Sequence, residues 1–163
     1  MNHPIELSRL VKFLKKSNKE TYANKAALKA PSTRPGSEDY HFEADGLVYH
    51  DTYWGSRNFL GGEQIWLSED FAKQAPAKWG MNYFGFVLDS NVNEGELYNF
   101  LREALMQPED DVKIPVRGPV TFSKGNKRYW FSVKGDLTNF NGLESISIDN
   151  RVVYRCRVHG GFI

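Results

Sequence analysis

Apolar residues recur with a helical period in two stretches of the chain, residues 5–18 and 93–106. In the first stretch, Leu10, Phe13 and Leu14 follow the i, i+3, i+4 spacing that places side chains on one face of a helix. The second stretch repeats this spacing. Both stretches are therefore predicted to be amphipathic helices, each with one apolar face to bury.

Apolar and polar residues alternate after each of these helices, which predicts antiparallel β-strands joined by tight turns. The predicted strands, in chain order, are 40–44, 47–54, 62–67, 80–88, 120–123, 128–134, 143–148 and 151–159. Asp45-Gly46 and Asp149-Asn150 are turn signals between neighbouring strands. Segments 19–38 and 68–78 lack the pattern and are predicted to be irregular connections.

A repeated motif relates the two halves of the chain. The pattern N-F-x-G-x-E-x-I occurs at residues 58–65 and again at residues 139–146. Each copy occupies the same place in an order of one helix and four strands. The sequence therefore predicts a single α+β domain over residues 1–163, an internally duplicated helix-plus-antiparallel-strands unit. Its pseudo-symmetric halves would span about 4–89 and 92–163, with a curved sheet or half-barrel and two packed helices.

Charge adds information only when it is divided along the chain. The 21 Lys and Arg residues nearly balance the 20 Asp and Glu residues, and a net charge of +1 predicts no general attraction to nucleic acid. Residues 1–34 nevertheless carry +6, residues 35–111 carry −11 and residues 112–163 carry +6. The acidic middle segment either forms a concave surface that attracts cations or simply packs against the basic segments.

Several classes of protein are disfavoured by the sequence. The chain has no apolar run of about 20 residues and no signal-peptide pattern, so we expect no membrane contact and a cytoplasmic location. Cys156 is the only cysteine, which excludes an internal disulfide and a cysteine metal cluster, and strand alternation makes it a core residue. Phosphate-binding glycine loops and Ser-His-Asp or Cys-His pairs are not found, and no cofactor is expected.

Strand alternation places three carboxylates on faces that are otherwise apolar. Phe131 belongs to a core face of the second half, and the repeat puts Asp51 at the equivalent position of the first half. Glu63 and Glu144, the glutamates of the motif, alternate with apolar neighbours and project to the same side. A buried carboxylate is unfavourable unless it is paired or hydrogen-bonded, so these residues need an explanation.

Two interpretations of these carboxylates remain open. In the structural interpretation, Glu63 and Glu144 each accept backbone N–H bonds from the glycine turn that precedes them. In the functional interpretation, Asp51, Glu63 and Glu144 line an aromatic cleft that holds a cationic or polar-apolar ligand. A carboxylate metal site is disfavoured, because no histidine has suitable spacing and His50 points to the opposite strand face from Asp51.

Tyrosine and tryptophan residues concentrate in the first half and complete the predicted ligand site. The predicted ligand-binding residues are Tyr49, Asp51, Tyr53, Trp54, Glu63, Trp79, Asn82, Tyr83 and Glu144. The leading hypothesis is an uncharacterised small-molecule binding or sensing domain. One alternative is a hydrolase or isomerase with Asp51 or Glu63 as general base, and another is a protein-interaction or homodimerisation module. No metal site or direct nucleic-acid contact is predicted, since Lys12 and Lys19 have no recognition motif nearby.

Short motifs spread over residues 8–163 resemble a bacterial family of domains of unknown function. They are Thr21-Tyr22-Ala23, Arg34-Pro35-Gly36-Ser37, Tyr49-x-Asp51-x-Tyr53-x-Gly55, Phe59-x-Gly61-x-Glu63, Trp79-x-Met81-Asn82-Tyr83-x-Gly85, Val116-Arg117-Gly118-Pro119, Phe140-x-Gly142-x-Glu144-x-Ile146 and His159-Gly160-Gly161. Members of that family are sometimes fused behind an Xre-type helix-turn-helix, so the resemblance implies a sensing role and no known chemistry. In architecture alone, the paired units also resemble ligand-binding domains related to the gyrase-inhibitory protein, which bind bulky, often cationic compounds in a cleft between repeats.

Overall fold

Eight antiparallel strands form one open sheet in the computed structural model, which describes residues 3–107 and 112–163. The strands are β1 (Glu38–Ala44), β2 (Leu47–Gly55), β3 (Asn58–Leu67), β4 (Trp79–Val87), β5 (Thr121–Lys124), β6 (Lys127–Asp136), β7 (Asn139–Ile148) and β8 (Arg151–Phe162). Their order across the sheet is β1-β2-β3-β4-β8-β7-β6-β5. Because β4 pairs with β8, two four-stranded meanders meet at the centre of the sheet.

Three helices accompany the sheet within the described residues: α1 (Leu7–Glu20), α2 (Ser68–Ala72) and α3 (Glu94–Leu105). Glu6 caps α1 and Asn93 caps α3, each by accepting backbone N–H bonds of the first helical turn. The apolar faces of α1 and α3 share one core with one face of the sheet, which we call the inner face. Among the described residues, no helix has the length and apolarity needed to cross a membrane.

The α+β class and the two long helices are confirmed, and the eight strands lie close to their predicted positions. Helix α2 lies in the segment predicted to be irregular, because five residues are too few to show a helical period. The internal duplication and the half-barrel shape stay predictions. Residues 1–2 and 108–111, which include three acidic residues of the middle segment, lie outside the described residues.

The glycines of the repeated motif are not turn residues, as one interpretation of the sequence assumed. Gly61 lies within β3 and Gly142 within β7, where each leaves room for an aromatic ring from a neighbouring strand. A Cβ atom on Gly61 would lie 2.4 Å from the Tyr83 hydroxyl oxygen, and one on Gly142 would lie 2.7 Å from the Phe131 ring. These glycines therefore allow the rings of Tyr83 and Phe131 to lie flat over the inner face.

Candidate functional site

A cavity of about 340 Å³ lies between α1, α3 and the inner face of the first meander. Seven of the described residues that line it are aromatic. The aromatic lining residues are Tyr22, Tyr49, Tyr53, Phe59, Tyr83, Tyr98 and Tyr154. Asp51 and Glu63 also belong to the wall. A cavity of this size that is mostly apolar and has a few convergent polar groups is typical of small-molecule sites.

Asp51 and Glu63 lie opposite each other on β2 and β3, and each residue is only 3% exposed. The Tyr83 hydroxyl donates to Asp51 Oδ1 at 2.7 Å. Glu63 Oε2 is buried and has no hydrogen-bond partner. Within residues 3–107 and 112–163, neither carboxyl group forms a salt bridge. The cavity wall therefore holds two adjacent carboxyl groups that no neighbouring cation compensates by direct contact.

Burial gives this pair unusual protonation behaviour. Burial raises the pKa of Glu63 well above the ordinary glutamate range, and the charge of Asp51 raises it further. Burial likewise raises the pKa of Asp51, although the hydrogen bond from Tyr83 and the more distant charge of Arg117 oppose the increase. The arrangement therefore favours retention of at least one proton on the pair as the pH approaches neutrality.

Glu144, the repeat counterpart of Glu63, is fully satisfied by side chains. Arg117 binds it through two parallel hydrogen bonds of 2.9 Å, from Nε to Oε2 and from Nη2 to Oε1. The hydroxyl groups of Tyr129 and Tyr154 complete the shell at 2.9 and 2.8 Å. The predicted backbone bonds from a glycine turn are therefore wrong for Glu144, which is held by an ion pair and two tyrosines.

The first half does not supply Glu63 with an equivalent arginine. Arg34 belongs to an Arg-Pro-Gly segment that resembles the Arg117-Gly118-Pro119 segment in sequence. Its guanidinium group instead lies over the Trp54 ring, 5.9 Å from the centroid. Trp54 alternates with the inward-facing Tyr53 and so lies on the opposite side of β2 from the cavity. This difference in arginine position leaves Glu63 without a cation in direct contact, whereas Glu144 is paired with Arg117.

Helix α3 contributes lining residues that were missed in the sequence. Tyr98, Asn99 and Arg102 line the cavity together with Gly95 and Leu105. Arg102 stacks over the Tyr22 ring, 4.6 Å from its centroid, and its Nε donates to the Tyr22 carbonyl oxygen. Gly95, Tyr98, Asn99 and Arg102 follow i, i+3, i+4 and i+7 spacing, so they form a second stripe along α3 beside its apolar face. This spacing is the sequence signal that could have indicated the lining residues of α3.

Five of the predicted site residues line the cavity, and four do not. The lining residues are Tyr49, Asp51, Tyr53, Glu63 and Tyr83, while Trp54, Trp79, Asn82 and Glu144 lie elsewhere. Trp79 is fully buried, and its Nε1 donates to the Leu137 carbonyl oxygen at 2.9 Å. Asn82 is exposed on the opposite sheet face, since it alternates with Tyr83. The structure thus brings together the carboxyl pair and three tyrosines.

A separate buried carboxylate, Asp39, is structural. His50, Ser37, Thr33 and Thr52 all contact its oxygens, with the His50 Nε2 atom at 2.8 Å. Although burial opposes ionisation, these hydrogen bonds lower the pKa of Asp39 below the ordinary aspartate range. The described residues contain no group of three or more His, Cys, Asp and Glu side chains placed to hold a metal ion.

The fold and the site define an α+β domain with an antiparallel sheet and an aromatic cavity that contains a carboxyl pair. Residues 51–163 match the family model described as "Domain of unknown function (DUF5680)", and the chain belongs to this family. The match begins at Asp51 and includes Glu63, Tyr83 and Tyr154 but not α1 or β1. No curated protein and no solved structure shows significant similarity to the chain.

Proposed function

We propose that the chain is a small-molecule binding or sensing domain, and that its ligand is an organic cation with a planar or apolar body. The observation that carries this proposal is the unpartnered Glu63 Oε2 atom beside Asp51 on the cavity wall. A buried acceptor without a donor destabilises a protein by about 1–3 kcal/mol. A cationic N–H group of a ligand would satisfy this acceptor and compensate the carboxylate charge.

The aromatic walls suit the rest of such a ligand. A cation near the face of a tyrosine or phenylalanine ring gains about 0.5–2 kcal/mol, and more where water is excluded. Tyr49 and Tyr83 flank the carboxyl pair, and Tyr53 and Phe59 extend the wall. The hydroxyl groups of Tyr53 and Tyr83 donate to Glu38 and Asp51, and their oxygens can still accept hydrogen bonds from polar parts of the ligand.

Cationic side chains on the cavity wall have other partners. Lys29, Arg102 and Arg117 line the cavity, but they contact Glu38, Tyr22 and Glu144 respectively. The carboxyl pair is therefore left to meet a ligand's positive charge, next to ring faces of the kind that recognise organic cations.

Proton release should accompany binding of a cation. The carboxyl pair retains a proton near neutral pH, because burial raises the pKa of both groups. A bound positive charge favours the ionised carboxylates, so the ligand displaces that proton. Affinity for a permanent cation is therefore expected to increase as the pH rises through the neutral range.

A thermal-shift screen of cationic and neutral aromatic compounds tests the proposal. Cationic hits should raise the Tm of the wild-type chain, because a ligand that binds only the folded state stabilises it by mass action. The same compounds should not raise the Tm of Glu63→Gln, which lacks the carboxylate that they bind. Glu43→Gln is the matched control, because Glu43 is an exposed carboxylate on β1 away from the cavity lining. Equal stabilisation of all three proteins, or a preference for neutral compounds, would contradict the proposal.

Catalysis is a second candidate function, favoured by the adjacency of two carboxyl groups with raised pKa values. A carboxyl group whose pKa lies near the working pH is an effective general acid or base. The candidate reaction classes are hydrolysis and isomerisation, with Asp51 or Glu63 as general base. Hits of the screen can be incubated with the protein and followed by mass spectrometry. Turnover that disappears in Asp51→Asn would support catalysis, whereas unchanged ligand would contradict it.

The finer features of the fold are also proposals. An internal duplication is supported by matching register, because Tyr49 pairs with Ile65 in the first half as Tyr129 pairs with Ile146 in the second. A bacterial origin, a cytoplasmic location and a homodimer remain expectations. Light scattering over a range of concentrations would test the homodimer.

A further inference from the structure

The outer face of the sheet, opposite the cavity, carries a second feature that the ligand site does not use. Phe84 and Phe86 alternate outward on β4, and Phe84 is 49% exposed. Phe84 pairs across strands with Arg157, and Phe86 pairs with Arg155. Two phenylalanine–arginine pairs therefore lie side by side, separated by about 7 Å along the strands. We call these four residues the outer patch.

The surroundings of the outer patch are basic and apolar. None of the outward-facing residues of β4, β8 and β7 is acidic, and neither is any outward residue of β6 between Arg128 and Lys134. Arg155 and Arg157 are exposed and form no salt bridge in the part of the chain that the structure describes. The part of this face around β8 therefore carries uncompensated positive charge, while the outward carboxylates Glu43 and Asp136 lie on the edge strand β1 and at the end of β6.

The phenylalanine rings are available for contact. Neither Arg155 nor Arg157 is among the cations that stack on a ring in the described residues. The rings of Phe84 and Phe86 lie 5.9 Å apart, and Leu60, paired with Phe84 and 52% exposed, extends the apolar surface. Exposed apolar groups that adjoin one another in this way typically mark a contact surface.

We propose that the outer patch binds single-stranded nucleic acid. Each phenylalanine would stack on one base, and the arginine beside it would contact a phosphate, so the two pairs repeat the base-and-phosphate pattern of one strand. A duplex keeps its bases stacked on each other and could not use the rings. A second copy of this chain fits less well, because a two-fold contact would bring Arg155 and Arg157 close to the same arginines of the other copy.

This proposal departs from the expectation that net charge suggested, for a physical reason. Net charge averages over all faces, whereas binding depends on the local potential of one face. Asp51 and Glu63, which contribute to the acidic middle segment, face the cavity instead of the outer patch. The proposal is independent of the ligand site, and either can fail without the other.

Fluorescence anisotropy with labelled thymidine and uridine dodecamers tests the outer patch and separates DNA from RNA. We expect binding that weakens as salt rises from about 50 to 200 mM. Arg155→Gln combined with Arg157→Gln should reduce affinity at least tenfold and reduce the salt slope by about 1.4, the effect of two phosphate contacts on a single strand. Phe84→Ala should weaken binding by about tenfold through lost stacking.

Matched controls change charge and apolar area elsewhere. Lys12→Gln combined with Lys25→Gln removes two exposed charges, and Leu28→Ala removes a side chain that is 91% exposed. Both controls should bind as the wild type does. Circular dichroism checks folding, and if Phe84→Ala does not fold, the arginine variant alone decides. Three results would overturn the proposal. They are a failure to bind the single strands, binding of a duplex or of polyglutamate that is as tight or tighter, and equal effects of the arginine and lysine variants.

Discussion

Asp51 lies directly opposite Glu63 across β2 and β3, and both carboxyl groups line the same cavity. At the corresponding place in the second half, Phe131 lies opposite Glu144, and Arg117 neutralises the glutamate. The same strand register therefore holds the buried Arg117–Glu144 ion pair in the second half. In the first half it holds the Asp51–Glu63 carboxyl pair, which no cation contacts directly.

Stability should fall as the pH rises from about 5 to 9. Burial raises the folded-state pKa of Asp51 and Glu63, so the folded protein retains protons that the unfolded chain releases above about pH 4. This stabilising contribution is complete below the unfolded-state pKa and is lost as the pH passes the folded-state pKa. Chemical denaturation across this pH range should show the free energy of unfolding decrease by several kcal/mol, since each retained proton contributes about 1.4 kcal/mol per pH unit.

Glu63→Gln should remove part of that pH dependence, because its side chain does not titrate. The difference in unfolding free energy between the variant and the wild type should therefore move in favour of the variant as the pH rises. Glu69→Gln, on the solvent-exposed helix α2, serves as control and should retain the wild-type slope, because the contact of Glu69 with Lys73 is exposed to solvent and lies away from the cavity lining. Identical slopes for the wild type and Glu63→Gln would exclude a titrating Glu63.

Loss of Glu144 should have a much larger effect on stability than loss of Glu63. Glu144→Gln leaves Arg117 buried without its counter-charge, and breaking a buried ion pair from one side costs about 3–5 kcal/mol. Urea denaturation at neutral pH measures the difference between the two variants. Equal destabilisation by Glu63→Gln and Glu144→Gln would contradict the different roles assigned to the two glutamates.

Tyr83→Phe should raise the pKa of Asp51 further. The Tyr83 hydroxyl donates to Asp51 Oδ1, and this hydrogen bond favours the ionised carboxylate. Carbon-detected NMR of the labelled aspartate carboxyl group would show the titration midpoint of Asp51 move upward. Tyr98→Phe is a matched control, because Tyr98 lines the same cavity but donates to the Ser56 carbonyl oxygen. A downward shift in Tyr83→Phe would refute this assignment.

Gly61→Ala should destabilise the fold and disturb the site together. The added Cβ atom would lie 2.4 Å from the Tyr83 hydroxyl oxygen and 2.6 Å from the Thr52 carbonyl oxygen, so Tyr83 must leave Asp51. We expect a loss of about 1–3 kcal/mol, typical of overpacking. Gly95→Ala, in the first turn of α3, is a milder comparison. The added Cβ atom would lie 3.2 Å from Asn93 Oδ1, which a small movement of that side chain relieves, and alanine favours the helix over glycine. Thermal denaturation of both variants distinguishes these outcomes.

The sequence predicted much of the fold because its signals are periodic. Alternation with a period of two places Asp51, Glu63 and Glu144 on the inner face from the sequence alone. Alternation also implies that Trp54 and Asn82 face away from Tyr53 and Tyr83, so their inclusion in the predicted site conflicted with the same rule. The tryptophan content could not show that Trp79 is a core residue, because its contact with Leu137 joins distant parts of the chain.

The remaining features of the site depend on contacts between distant residues. The Arg117–Glu144 ion pair joins a loop to β7, and nothing in their spacing distinguishes it from a pair between Arg34 and Glu63. Arg102 of α3 reaches the cavity by stacking on Tyr22, which follows α1. Local periodicity predicts the direction of a side chain, but it does not predict which distant partner the side chain meets.

Proton release on ligand binding tests the central claim most directly. Isothermal titration calorimetry with 9-aminoacridine, a planar compound that is cationic at neutral pH and carries N–H groups, can be run at about pH 7.5 in two buffers of different ionisation enthalpy. Acridine, which is largely neutral at the same pH, serves as the uncharged control. The account predicts that the cation binds the wild-type chain with release of up to one proton. It also predicts weaker binding with less proton release in Glu63→Gln, and little binding of acridine. Equal affinity for acridine, or binding of the cation with no proton released, would contradict a site built on the Asp51–Glu63 pair.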